Sequence, residues 1–243
     1  MVKLFLVAVP VFFRVGLNQC SRIKNKTERA RTNVYRRKRD LTRYRSFILI
    51  VVCVLAMGGC TTSVTVEGTI PTPLVAKIPV NVGIYYSDDF KQFRHEENIR
   101  QEGNWKVDMG AQNLLFFRNL MTAVFVDVTE LNEPPLAGEN LAGLDGVLVP
   151  EIVKYGFLTP NVSGLKFYSA SIHYRMSLYN NQNEKLGEWT IVGYGKSERT
   201  LFGTTESLGE ATVLAIRDGG ARIAIEMTSQ PVVQSWLEDV SKE

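Results

Sequence analysis

An α+β fold is predicted, with a single mixed or mostly antiparallel sheet, two main helices packed on it, and a signal or anchor segment ahead of it. Three observations lead there. Short runs with two-residue alternation, such as Val80-Asn81-Val82-Gly83-Ile84-Tyr85-Tyr86, have the period of strands. Two longer stretches repeat apolar residues at three- and four-residue intervals, the period of amphipathic helices. The unbroken apolar run FILIVVCVLAMGG, from Phe47 to Gly59, precedes them all.

That apolar run would rise only about 20 Å as a helix, against a hydrocarbon core of about 30 Å. Arg43 and Arg45 stand before it and small residues after it, the order of an export signal. It ends Met57-Gly58-Gly59-Cys60, which resembles the lipobox of bacterial lipoproteins, with Met57 where that class usually has leucine and Leu55 two places away. The resemblance implies that a diacylglycerol is transferred to the Cys60 thiol, that the peptide is cut between Gly59 and Cys60, and that the new amino group is acylated. Thr61 directly after the cysteine resembles lipoproteins sent to the outer membrane, which implies its periplasmic face, or the plasma membrane in a cell with one membrane. The competing reading leaves Cys60 as an apolar residue at the end of an uncut anchor.

Residues 1–40 form a basic leader, either upstream of a later translation start or a disordered arm, and residues 41–59 are the signal peptide. Thirteen of the 28 Lys and Arg, and two of the 25 Asp and Glu, lie before residue 48. The rest of the chain therefore holds 15 basic and 23 acidic residues, a net charge of −8, where the whole chain has +3. An acidic body argues against nucleic acid as a partner and leaves membrane attachment to acyl chains on Cys60. Cys20, Cys53 and Cys60 are the only cysteines, so a chain starting at Cys60 forms no internal disulfide.

From Cys60 to Pro79 the chain reads as a flexible tether, because polar residues and Pro71, Pro73 and Pro79 interrupt regular structure. One α+β domain is expected over residues 80–243. Its first strand is Val80 to Tyr86. Ser87 to Gly103, dense in charge, reads as an irregular excursion, and Asn104 to Met109 as a second strand. In GAQNLLFFRNLMTAVFVDV, the positions of Leu114, Phe117, Met121, Val124 and Phe125 predict a helix that runs straight into a strand. Pro134 and Pro135 then impose a loop.

Leu144 to Ile152 reads as a buried strand, extended by Val153 to Leu158 past a bend. In the next strand Ile172, Tyr174, Met176 and Leu178 share one face and His173, Arg175, Ser177 and Tyr179 the other, which predicts a partly wet sheet face. The turn NNQNEKLG closes a hairpin with Glu188 to Glu198. Leu208, Ala211, Leu214, Ala215, Ala221, Ile225 and Met227 predict a long helix over Ser207 to Thr228, in which Gly219 and Gly220 mark close packing or a kink. A short helix comes next, from Pro231 to Val240.

The VNVGIYY strand, the helix entering FVDV, the LDGVLVPEI strand and the meander with its long last helix resemble, as a pattern of elements, a loose group of periplasmic lipoproteins. The group includes the curli-secretion pore lipoprotein, exopolysaccharide-export ring lipoproteins, activators of penicillin-binding proteins and the amino-terminal domain of the Tol-Pal translocation protein. It implies an adaptor or assembly module of the cell envelope, not a catalyst.

Signals for catalysis are weak. His95-Glu96-Glu97 lacks the second histidine of a zinc helix, His173 sits on a half-wet strand face, and Lys196 and Ser197, as strand neighbours, point to opposite faces. No metal or cofactor is expected. Partner binding, to another envelope protein or a second copy, is assigned to Ser87–Gly103 and its surroundings, with Phe90, Phe93 and Trp105 as apolar anchors. The alternative is a lipoprotein that binds a small solute, sugar or lipid in a groove lined by some of Tyr85, Tyr86, Phe90, Phe93, Trp105, Phe157, Phe167, Tyr168, Tyr174, Tyr179 and Trp189, although the same aromatics would also serve as core.

Lipidation has a direct readout. Intact mass of the membrane-extracted protein is expected to correspond to a chain starting at an acylated Cys60, and Cys60→Ser should leave the full leader attached. A mass matching an unmodified sulfur at position 60 would refute the assignment.

Overall fold

The computed structural model describes residues 61–136, 141–198 and 203–242. The basic leader, the signal segment, Gly59 and Cys60 lie outside the described residues. The chain runs through β1 (Thr61–Thr65), β2 (Ile78–Tyr85), a one-turn helix α1 (Asp88–Lys91), β3 (Arg94–Ile99), β4 (Gly103–Asp108), α2 (Gly110–Val124) and β5 (Phe125–Leu131). It continues with β6 (Gly146–Leu158), α3 (Pro160–Ser163), β7 (Phe167–Asn180), β8 (Lys185–Glu198), α4 (Thr204–Glu226) and α5 (Pro231–Val240). Among the described residues no helix is long and apolar enough to cross a membrane.

The class is α+β, but two sheets are present where a single one was expected. The larger is mixed, ordered β5-β2-β6-β7-β8, with parallel pairing of β2 to β5 and β6 and antiparallel pairing from β6 to β8. The smaller is ordered β1-β4-β3, with β1 parallel and β3 antiparallel to β4. Its two outer strands come from segments read as tether and as irregular excursion. Arg94–Ile99, RHEENI, is an edge strand whose positions are all exposed or half-exposed, so it has no apolar alternation to betray it. Thr61–Thr65 is held by register with a strand far along the chain, Thr61 opposite Asn104, and its Val64 is buried. Beyond it, Gln112 accepts from Gly68 N and donates to Gly68 O (3.3 and 2.9 Å), docking part of the expected tether on α2.

The core lies between one face of the larger sheet and the helices. Val82 and Ile84 of β2, Ile172, Tyr174, Met176 and Leu178 of β7, Phe117, Leu120 and Met121 of α2, and Leu208, Ala215 and Ile216 of α4 are all fully buried. Two tyrosine tips inside it are paired: the Tyr174 hydroxyl donates to Asn113 Oδ1, and Tyr155 Oη lies 2.7 Å from Thr212 Oγ1, whereas the indole N–H groups of Trp105 and Trp189 are buried without a partner among the described residues. Burial pushes the phenols of Tyr86, Tyr155 and Tyr174 well above their ordinary range.

Helix α4 lies directly on β8. A Cβ added at Gly193 would stand 2.1 Å from Ala215 O, and one at Gly195 would stand 1.9 Å from Ala211 O, so only hydrogen fits there. On the helix, Gly219 meets the Tyr174 ring and Gly220 the Phe116 ring. The paired glycines therefore serve close packing within a continuous helix.

Gly195→Ala is expected to lower stability by about 2–3 kcal/mol, whereas Gly156→Ala, whose Cβ would have only Ser171 Oγ at 3.8 Å, should stay within about 0.5 kcal/mol in urea unfolding. The buried phenols predict a second effect. Their stabilisation is complete below the ordinary phenol pKa of about 10 and is lost as pH rises beyond it, because the unfolded chain ionises while the folded one resists. A urea midpoint that stays constant through that range would contradict the assignment.

Candidate functional site

With the helices gathered on one face, strand alternation decides what the other face presents. Tyr168, Ala170, Ile172, Tyr174, Met176 and Leu178 of β7 are buried toward the helices, so Phe167, Ser169, Ser171, His173 and Arg175 point away from them. Cross-strand register sets three rows on this outer face: Lys154–His173–Val192, Gly156–Ser171–Tyr194 and Leu158–Ser169–Lys196. Tyr194 is 61% exposed and Leu158 48%.

The rows form a trough of about 580 Å³. Its floor is Gly156, Ser169 and Ser171, with Lys154 and Leu158 on one flank and Phe167, Tyr194 and Lys196 on the other. The Lys196 ammonium lies 3.9 Å from the Phe167 ring centroid. Among the described residues no carboxylate pairs with Lys154 or Lys196. Further along the face the charges satisfy one another: Arg175 reaches Glu151 (3.4 Å) and Glu188 (3.8 Å), and Lys185 Nζ lies 2.6 Å from Glu188. The hydrogen bond from Lys185 holds the Glu188 carboxyl below its ordinary range. The trough thus combines hydroxyls that donate and accept, two aromatic faces and two cations without counter-charges. Such a set suits anionic or hydroxyl-rich groups.

The residues expected to anchor a partner lie elsewhere. Phe90 is 1% exposed, stacked on Tyr86 (5.7 Å between centroids) and edge-on to Phe117 (5.1 Å). The short helix α1 turns it inward, and Ser87 Oγ caps that helix by accepting from Phe90 N at 3.1 Å. Trp105, 5% exposed, packs against Phe157 at 5.5 Å, and Phe93 is half-buried against the same core. These three anchors are thus interior or nearly so, and the charged segment around them is ordered. Arg94 pairs with Asp108 (2.6 Å), and Lys106 with Glu96 (2.9 Å), whose carboxyl that hydrogen bond lowers. A hollow of about 780 Å³ borders Ser87–Phe90, Gln92–Arg94, Glu151 and Ile152.

The remaining candidates do not converge. His95 Nε2 lies 3.1 Å from Glu97 Oε2, its ring edge-on to Tyr155, while His173 stands in the outer row between Lys154 and Val192. Ser197 is buried on the helix side and donates to Glu210, whereas Lys196 faces outward. Among the described residues no cluster of three or more His, Cys, Asp or Glu is placed to hold a metal ion. Of the aromatics read as a possible groove, Tyr86, Phe90, Trp105, Phe157, Tyr168, Tyr174 and Trp189 are buried core, and Phe167 reaches the trough. Tyr194 and Lys154 escaped sequence reasoning, and Lys196 enters it only beside Ser197. The signal that could have found them is the outward parity of β7 carried across to β6 and β8, which requires the register.

No protein-family model matches the chain, and no curated protein sequence matches it. Solved structures with a similar course of the chain include a DUF330 protein from Xanthomonas campestris, at 12% identity and a TM-score of 0.46, covering 76% of this chain and 99% of that one. A neuraminyllactose-binding hemagglutinin homolog from Helicobacter pylori has 11% identity and a TM-score of 0.48, covering 73% and 100%. A minor lipoprotein from Acinetobacter baumannii has 13% identity and a TM-score of 0.32, covering 65% and 94%. At these scores the likenesses assign neither a family nor an activity.

Because Phe90 is core, Phe90→Ala is expected to cost about 3–5 kcal/mol in urea unfolding. A stable variant that only loses a binding partner would restore the surface role.

Proposed function

We propose that the protein is an envelope lipoprotein, cut before Cys60 and held by acyl chains on that residue at the periplasmic face of the outer membrane. Its domain acts as a non-catalytic adaptor or assembly factor, and the outer face of the five-stranded sheet is where it meets another envelope protein or a second copy. The observation that supports this reading is that one face of the sheet is fully packed while the other exposes a trough with apolar flanks and two lysines that lack a carboxylate partner among the described residues. Acidic groups with an apolar neighbour would complement it.

A second reading has its own support. Serine hydroxyls on the floor, Phe167 and Tyr194 at the side and Lys154 and Lys196 at the rim would also hold a small anionic solute, sugar or lipid headgroup.

The double substitution Tyr194→Ala with Lys196→Ala separates these readings. Both residues are exposed, so the melting temperature should change little. Cross-linking in membranes is expected to lose a protein adduct that the unsubstituted chain forms. Retention of every adduct, together with loss of a small molecule seen by native mass spectrometry, would replace the adaptor reading with the second one.

A further inference from the structure

We propose that the connector between β6 and β7 is a second, shallow contact with the bilayer, which orients the domain on the membrane that holds its acyl chains. This inference rests on acylation of Cys60. Strand β1 begins at Thr61, the next residue, and consecutive Cα atoms are about 3.8 Å apart. An acylated Cys60 is therefore joined to folded structure without a spacer. The domain cannot stand far from the lipid, and whatever surrounds the start of β1 meets the headgroups.

The register identifies those surroundings. Thr61 lies opposite Asn104 near the start of β4, beside the β3–β4 turn at Ile99–Gly103. That turn is tied to the β6–β7 connector, because the Thr159 hydroxyl donates to Glu102 Oε1 at 2.6 Å. Arg100 and Gln101 of the turn share a hollow of about 540 Å³ with Leu158 at the end of β6 and Val162 of the connector.

The connector is hydrogen-bonded within itself and greasy. Thr159 Oγ1 caps α3 by accepting from Val162 N (3.3 Å), Ser163 Oγ donates to Thr159 O (2.9 Å), and Gly164 turns the chain with φ of 70°. Leu158, Val162 and Leu165 are 48%, 53% and 48% exposed. Three large apolar side chains held out by one short turn expose more hydrocarbon than a solvated loop needs. Exposed Arg100, Lys166 and Lys196 stand around them, suited to anionic headgroups. Of the carboxylates at this end, Glu96, beside Thr61, pairs with Lys106, Glu97 engages His95, Glu102 engages Thr159, and Glu198, opposite Phe167, is exposed. A lipid surface fits an apolar tip with cationic shoulders beside an acylated residue; water does not.

The test uses the mature lipoprotein in vesicles of phosphatidylethanolamine and phosphatidylglycerol. Once Cys60 is acylated and the leader removed, no free thiol remains, so Val162→Cys or Leu165→Cys accepts a single environment-sensitive fluorophore. Glu184→Cys, in the β7–β8 turn at the far end of β7, is the reference. Lipids carrying a shallow quencher are expected to reduce emission at 162 and 165 at least about twofold more than at 184. Equal quenching at all three, on a protein whose intact mass shows the acyl chains, would overturn the membrane contact and leave the anchor standing. An unacylated mass would remove both. Energy transfer between labelled copies at 162, without lipid quenching, would assign the tip to self-association and refute the proposal.

Discussion

The backbone contact between β8 and α4 governs the rest of the domain. Gly193 and Gly195 on the strand let the carbonyls of Ala215 and Ala211 come within a distance that no side chain allows. Gly219 does the same for the Tyr174 ring from the helix side. A helix seated this closely fixes which face of β8 is inside, and antiparallel pairing passes that parity through β7 to β6. Apolar residues on the wrong face would be stranded in water, so the register has one solution.

The outer face is set by the same choice. The parity that buries Ile172, Tyr174 and Met176 exports Ser169, Ser171, His173 and Arg175, and the neighbouring strands add Lys154, Tyr194 and Lys196 in the same rows. One half of the outer face neutralises itself through Glu151, Arg175, Glu188 and Lys185. The other half carries Lys154 and Lys196 beside aromatic rings, with no carboxylate against them among the described residues. The outer face is thus electrostatically closed at one end and open at the other.

The small sheet carries the domain to Thr61, the residue that follows Cys60. By pairing with β4, Thr61–Thr65 converts the first residues after Cys60 from spacer into structure, and Val64 secures the strand to the core. The same sheet brings the β3–β4 turn against the β6–β7 connector through Thr159 and Glu102. The trough extends to Leu158 at this end, so the proposed binding face and the proposed membrane contact share a border.

By itself the sequence determined the elements that carry their own period: β2, α2 running into β5, the long β6 with its irregularity near Val153, the β7–β8 hairpin, α4 and α5. Each buries an apolar stripe or alternates apolar and polar residues, and that pattern is local. It also determined the acidic balance of the chain after Phe47, because that is a matter of composition. Only the tertiary structure decided that Thr61–Thr65 and Arg94–Ile99 are strands, since edge strands are held by backbone pairing, with a distant partner for the first and the next strand for the second, and need no apolar pattern. It alone moved Phe90 and Trp105 into the core, where an aromatic beside charges reads the same as a surface anchor until its neighbours are known. And it alone assembled Lys154, Tyr194 and Lys196, which stand far apart along the chain and become neighbours only through the register of three strands.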